Sequence, residues 1–238
     1  MNPILDKVRK ELTSMANPVL AEGSKRFFKE NEVINVYGIK TAEVMKLSKG
    51  WLKEISDLSK FEIFALCDEL WKSGMSEEQF IACDWAYAQR KKFEPSDFNI
   101  VEKWLFSYVS NWATCDTLCN HTIGTFVEMN PEYISELKRW AKLDNRWMRR
   151  AAAVTLIIPA RHGLFLDDIF EIATLLLHDR DDLVQKGYGW MLKAASQAHC
   201  NEVFNFVIRH KATMPRTALR YAIEKLPDEM KRMAMLKQ

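Results

Sequence analysis

Apolar residues recur along the chain at steps of three and four. Phe61, Phe64, Ala65, Leu70 and Trp71 form one stripe, Phe98, Val101, Leu105 and Val109 a second, and Ile169, Ile172, Leu175 and Leu176 a third. That period matches the 3.6-residue turn of an α-helix with one face on a core. No stretch alternates apolar and polar residues for long, so the pattern predicts no strand. Start signals precede the stripes. Ser59-Lys60-Phe61-Glu62 and Ser76-Glu77-Glu78-Gln79 read as capping boxes, in which the hydroxyl accepts from the third amide and the acid or amide reaches back. Ser96-Asp97 after Pro95, Asn130-Pro131-Glu132 and Asp167-Asp168 mark three further starts, by cap residue, by proline at the first helical position and by negative charge at a positive helix end.

The spacing of these starts carries the larger message. Ser59 to Ser96 is 37 residues, Ser96 to Pro131 is 35 and Pro131 to Asp167 is 36. Each interval holds two helices and a short turn, which is the signature of an α-solenoid. The later pairs also share a plan. Asp144-Asn145-Arg146-Trp147-Met148-Arg149-Arg150-Ala151 and Asp181-Asp182-Leu183-Val184-Gln185-Lys186-Gly187 both run from acid through base to a small residue. The tryptophan, glycine and tyrosine pattern of tetratricopeptide repeats is absent. The expected fold is therefore all-α: an α-solenoid of HEAT-like helix pairs, an alpha-alpha superhelix. It should form one domain over 1–238, with an irregular helical cap over 1–56 and repeats over 57–238.

Composition agrees. Only 8 Gly and 7 Pro in 238 residues is too little punctuation for an all-β chain of this length. Hydrophobic residues at 48% and charged residues at 28% are an ordinary globular mix. The five cysteines, Cys67, Cys83, Cys115, Cys119 and Cys200, are odd in number and irregularly spaced, which fits reduced thiols. The first residues lack an apolar leader, and the longest apolar run, Ala151 to Ala160, is about half of what a membrane helix needs. A soluble, cytoplasmic monomer with no membrane segment is expected.

The net charge of +2 excludes a uniformly basic protein but hides a division. Residues 1–138 carry −4 and residues 139–238 carry +6. Arg146, Arg149 and Arg150 cluster on one predicted inner helix. Lys186 and Lys193 flank Trp190 at i−4 and i+3 on another, and Arg216 and Arg220 are one turn apart on a third. Inner helices line the concave side of a solenoid, so the stripe suits nucleic acid, or else it is a solvated face. Of eight tryptophans, Trp51, Trp71, Trp104 and Trp140 lie on apolar stripes and read as core. Trp112, Trp147 and Trp190 keep polar company: Asp116 lies one turn after Trp112, and Trp190 follows Gly187-Tyr188-Gly189. Each glycine costs about 1 kcal/mol in a helix relative to Ala and marks close approach, by another helix or by a ligand. Asp116 alone reads equally as a cap or a surface ion pair.

Together these residues resemble the AlkD-type DNA alkylation repair glycosylases. The resemblance is carried by Trp112-x-x-x-Asp116, Trp147-x-Arg149-Arg150-Ala151-Ala152 and Gln185-Lys186-x-x-Gly189-Trp190, with Tyr37-Gly38-Ile39-Lys40-Thr41 similar to a Gly-Ile segment near the N-terminus. It covers nearly the whole chain in order. It implies a solenoid that holds duplex DNA and excises cationic N3- and N7-alkylated purines while the lesion stays stacked. The catalytic set it implies is Asp116, Trp112, Trp190 and Arg150, the last because it directly precedes Ala151-Ala152. Candidate DNA contacts are Lys40, Arg149, Lys186, Lys193 and Tyr37. Ala113 and Lys40 stand where the family often has Asp and Gln.

The chemistry needs few groups. A base alkylated at N3 or N7 is cationic and leaves as a neutral molecule, so the remaining demand is to stabilise an oxocarbenium-like sugar and orient a water. No lysine adjoins Asp116, so a monofunctional glycosylase that leaves an abasic site is expected. Cys115, Cys119 and His121 lack a fourth ligand, and no phosphate-binding glycine loop is present, so neither a metal nor a cofactor is expected. The alternative reading is a non-catalytic HEAT-like scaffold that binds protein or nucleic acid.

Overall fold

The computed structural model describes residues 2–29, 32 and 34–236. The described residues are helical with no strand; an isolated bridge joins Asn35 to Met75. The chain divides into two compact units, Met1–Leu118 and Cys119–Gln238.

The first unit contains α1 (Pro3–Ser14), α2 (Pro18–Ser24), α3 (Thr41–Glu54), α4 (Lys60–Lys72), α5 (Ser76–Ala88), α6 (Phe98–Tyr108) and α7 (Trp112–Thr117). Helix α4 packs on α5 as an adjacent pair. Beyond that pair, α3, α5 and α7 pack in one row, and α4 meets α6 in the other. Trp71, Trp85 and Trp104 are fully buried, with Trp71 stacked on Trp104 at 6.3 Å between centroids. Such aromatic pairs add about 0.5–1.5 kcal/mol beyond the area they bury. The residues expected in 1–56 as a cap form α1, α2 and α3.

The second unit contains α8 (Gly124–Met129), α9 (Ile134–Trp140), α10 (Arg146–Val154), α11 (Ile157–Arg161), α12 (Leu166–Leu175), α13 (Asp182–Ala195), α14 (Cys200–His210), α15 (Arg216–Ala222) and α16 (Asp228–Met235). Again there are two rows. Helices α10, α13 and α15 pack side by side, α9 meets α12, and α14 meets α16. Successive pairs α9–α10 and α12–α13 are helix pairs that the sequence spacing predicts.

Several local expectations change. The Ser59 capping box forms as read: Ser59 Oγ accepts from the Glu62 amide at 3.3 Å, and the Ser59 amide donates to Glu62 Oε2 at 2.8 Å. The Ser76 box does not. Met75 is the extended residue before the helix, and Glu77 and Glu78 turn away to distant partners. Asn145, not Asp144, caps α10, accepting from the Trp147 amide at 2.9 Å, whereas Asp181 caps α13 as expected. Pro95 and Pro131 open short 3-10 turns, with α6 and α9 starting three residues later. On α4 the buried stripe runs through Ile63, Phe64, Cys67, Leu70 and Trp71, leaving Phe61 and Ala65 exposed; on α12 Leu175 is exposed. A buried lysine, Lys60, joins the starts of α4 and α6 by donating to Asp97 Oδ2 at 2.9 Å and Glu94 Oε2 at 3.1 Å. Among the described residues no helix is long and apolar enough to cross a membrane.

Candidate functional site

Helix α7 carries Trp112 and Asp116 one turn apart, so both lie on one face. Asn111 caps it, its side chain accepting from the Thr114 amide at 3.0 Å. The helix then runs into a π-helical turn, Leu118–Ile123, a distortion that is common at functional sites. Asp116 is mostly buried, at 8% exposure. The Trp112 ring is half-buried. Its indole N–H donates to the Phe27 carbonyl at 3.2 Å, and its ring stacks on Phe28 with centroids 5.7 Å apart. Its backbone N–H donates to Glu32 Oε1 at 3.1 Å.

The Tyr37–Thr41 motif has a structural explanation. Gly38 adopts φ +84°, and a side chain there would collide with the backbone of Asn17 and Ala21. The buried carboxylate of Glu77 accepts from the amides of Tyr37, Gly38 and Ile39 at 3.1, 2.9 and 3.2 Å. The Tyr37 hydroxyl donates to Glu78 Oε1 at 2.8 Å, and Glu78 also pairs with Arg9 at 3.1 Å. Burial, then the bond to Glu78, pushes the Tyr37 phenol up to about 12. Tyr37 is thus committed inward, while Lys40 stays exposed at the start of α3 with no ion pair among the described residues. A cavity of about 590 Å³ lies beside this motif. Trp112, Phe27, Phe28, Ile39 and Phe80 give it apolar walls, and Lys40 also lines it.

In the second unit, the small residues that follow the basic clusters serve packing. Gly187 lies against Arg150 and Val154 of α10, and a Cβ on Gly189 would meet Tyr221 and Ala218 of α15 at 2.7 and 2.8 Å. Both glycines therefore mark approach by another helix. Arg150 is buried and donates to the Leu183 carbonyl. Arg149 pairs with Asp179 at 2.6 Å and donates to the Leu143 and Asp144 carbonyls. Arg146 pairs with Asp181 at 2.8 Å, Lys186 with Asp182 at 3.0 Å and Lys193 with Glu224 at 2.8 Å. Much of the basic stripe is thus matched by acids within the unit. Arg216 and Arg220 are exposed, and Trp190 is half-buried. Tyr37, Lys40, Trp112 and Asp116 belong to the first unit, and Arg149, Arg150, Lys186, Trp190 and Lys193 to the second.

Sequence reasoning missed Glu77, Glu78, Glu32 and Phe28. Two adjacent acids, Glu77 and Glu78, one turn before the buried Ile81 were a usable signal, because a helix that buries Ile81 turns that face, and the acids on it, inward. Glu32 and Phe28 gave none, as their partner is about eighty residues away. Cys115 and Cys119 are buried thiols, and no group of described residues is placed to hold a metal ion.

Rows of short helix pairs, with an acid and an indole on one face of a capped helix, define an all-α helical-repeat architecture. Comparison with known proteins makes this specific. The chain matches the family model described as DNA alkylation repair enzyme over residues 8–226, and it belongs to that family. The membership supports a role in DNA repair. A solved structure from Enterococcus faecalis, described as a predicted DNA alkylation repair enzyme, shares the fold with a TM-score of 0.77 at 19% identity. The match covers 89% of this chain and 97% of that one. No curated protein matches in sequence.

Proposed function

We propose that this chain is a monofunctional DNA glycosylase that hydrolyses the N-glycosidic bond of cationic N3- and N7-alkylated purines in duplex DNA and leaves an abasic site. The observation that carries the reading is the pairing of Trp112 with the mostly buried Asp116 on α7, in a chain of the DNA alkylation repair family. In the reaction the C1′–N bond breaks, its electron pair neutralises the base, and water adds to C1′ while losing a proton. Asp116 stabilises the cationic sugar and orients that water. Trp112 and Trp190 present indole faces to the deoxyribose, each contact worth roughly 0.5–2 kcal/mol. Arg150 holds a neighbouring phosphate, and Lys40, Arg149, Lys186 and Lys193 are the further DNA contacts of this reading, Tyr37 being held inward by Glu78.

Incubation with methylated duplex DNA tests it. The wild type should release 7-methylguanine and 3-methyladenine, and Asp116→Asn should lose about 10²-fold or more of the rate. No release by the wild type favours the scaffold alternative. Full activity of Asp116→Asn removes Asp116 from its role, and strand cleavage by β-elimination overturns the monofunctional assignment.

A further inference from the structure

We infer that Phe28 and Glu32 are positioning residues that select the working orientation of Trp112, an inference that rests on the glycosylase reading of that tryptophan. Three features of Trp112 are held by a single distant segment. The indole N–H bonds the Phe27 carbonyl at 3.2 Å, the ring lies on Phe28 at 27° between planes, and the backbone N–H bonds Glu32 Oε1 at 3.1 Å. Glu32 is itself fixed, its Oε2 accepting from the Lys29 amide at 3.0 Å and its own amide donating to the Lys29 carbonyl at 2.9 Å. Edge, face and backbone of one residue are therefore all set from Phe27, Phe28 and Glu32.

The local helix does not demand this. Asn111 already caps α7, and the Trp112 amide is one of the orphan donors that water satisfies at an ordinary helix start. Trp112 also borders the cavity of about 590 Å³. A side chain beside space of that size keeps alternative rotamers unless something blocks them. The clamp gains little else by docking: α2 and the turn Lys25–Phe27 contain no buried residue. Its bonds from Phe27 and Glu32 converge on Trp112. A sugar-facing indole displaced by about 1 Å can cost on the order of 10²-fold in rate, so a segment that chooses its rotamer acts on the chemical step.

The full-length protein is tested on a duplex with one 7-methylguanine, by single-turnover rate, by duplex affinity from anisotropy and by urea unfolding midpoint. Phe28→Ala and Glu32→Ala should each slow the rate about tenfold or more while affinity and midpoint stay near the wild type. Phe28→Tyr keeps the stack and should restore the rate, and Glu32→Gln, which keeps one of the two acceptor oxygens, should restore it in part. With 5-fluorotryptophan incorporated and the Trp112 resonance assigned by Trp112→Phe, Phe28→Ala should shift and broaden that fluorine signal. Unchanged rates in Phe28→Ala and Glu32→Ala, with Trp112→Ala inactive, overturn the positioning role and leave the glycosylase reading standing. Rate losses that track equal losses of affinity or midpoint also overturn it. Full activity in Trp112→Ala overturns the positioning role and removes Trp112 from the catalytic set, while no release by the wild type overturns the glycosylase reading itself.

Discussion

Two glycines on α13, two positions apart, behave oppositely when a methyl group is added. At Gly187 a Cβ would sit 3.5 Å from the Arg150 and Val154 side chains, an ordinary contact. At Gly189 it would sit 2.8 Å from the Ala218 carbonyl and 2.7 Å from Tyr221 Cβ, neither of which is a flexible side-chain end. Gly187→Ala should therefore stabilise the protein by up to about 1 kcal/mol through helix propensity. Gly189→Ala should destabilise it by about 1–3 kcal/mol, because α15 must move. Urea midpoints at constant slope check both signs.

At the scale of elements, the attachment of residues 37–39 to α5 depends on one carboxylate. Glu77→Ala strands three amides and should cost about 3 kcal/mol or more. Hydrogen exchange should then accelerate at Gly38 and Ile39 well before it changes in α5. Glu77→Gln keeps an acceptor and should lose less. This attachment also marks the limit of what the sequence made legible. The helix period, the pair spacing and the caps at Ser59 and Asp181 were readable because each rests on residues within one turn. Ser76 misled because its local cap pattern competed with partners some forty residues away, and those won. Phe61 and Leu175 misled for a related reason: a helix in two-row packing buries only the face its neighbours cover. For the candidate site, the ordered set from Trp112 to Trp190 came from the family resemblance and not from spacing, since each residue alone reads as packing or a cap. The clamp of Phe28 and Glu32 on Trp112 was not, since a contact across about eighty residues leaves no periodic trace.

For the whole molecule, the relevant electrostatic quantity is not the +6 of residues 139–238 but how much of it is already matched. Lys186 and Lys193 are held by Asp182 and Glu224, two partly exposed acids that duplex phosphates would have to displace. Surface pairs of this kind are worth about 0–1 kcal/mol, so displacement is inexpensive but measurable. Asp182→Asn and Glu224→Gln should each tighten duplex binding a few-fold. They should leave the salt dependence as steep as before or steeper, by up to about 0.9 per cation newly engaged. Replacing the exposed Arg216 and Arg220 by alanine should weaken binding and flatten that dependence. Anisotropy titrations at about 50 to 200 mM salt distinguish the two sets.

The anchoring of the Gly38 turn on Glu77 also fixes an order in time. The amide and its acceptor are 39 residues apart, and the amide is made first. At roughly 5–20 residues per second of synthesis, the N-terminal turn waits about 2–8 s before its carboxylate exists. During that interval the Gly38 turn lacks its acceptor, and it can be fixed only once the first turn of α5 exists.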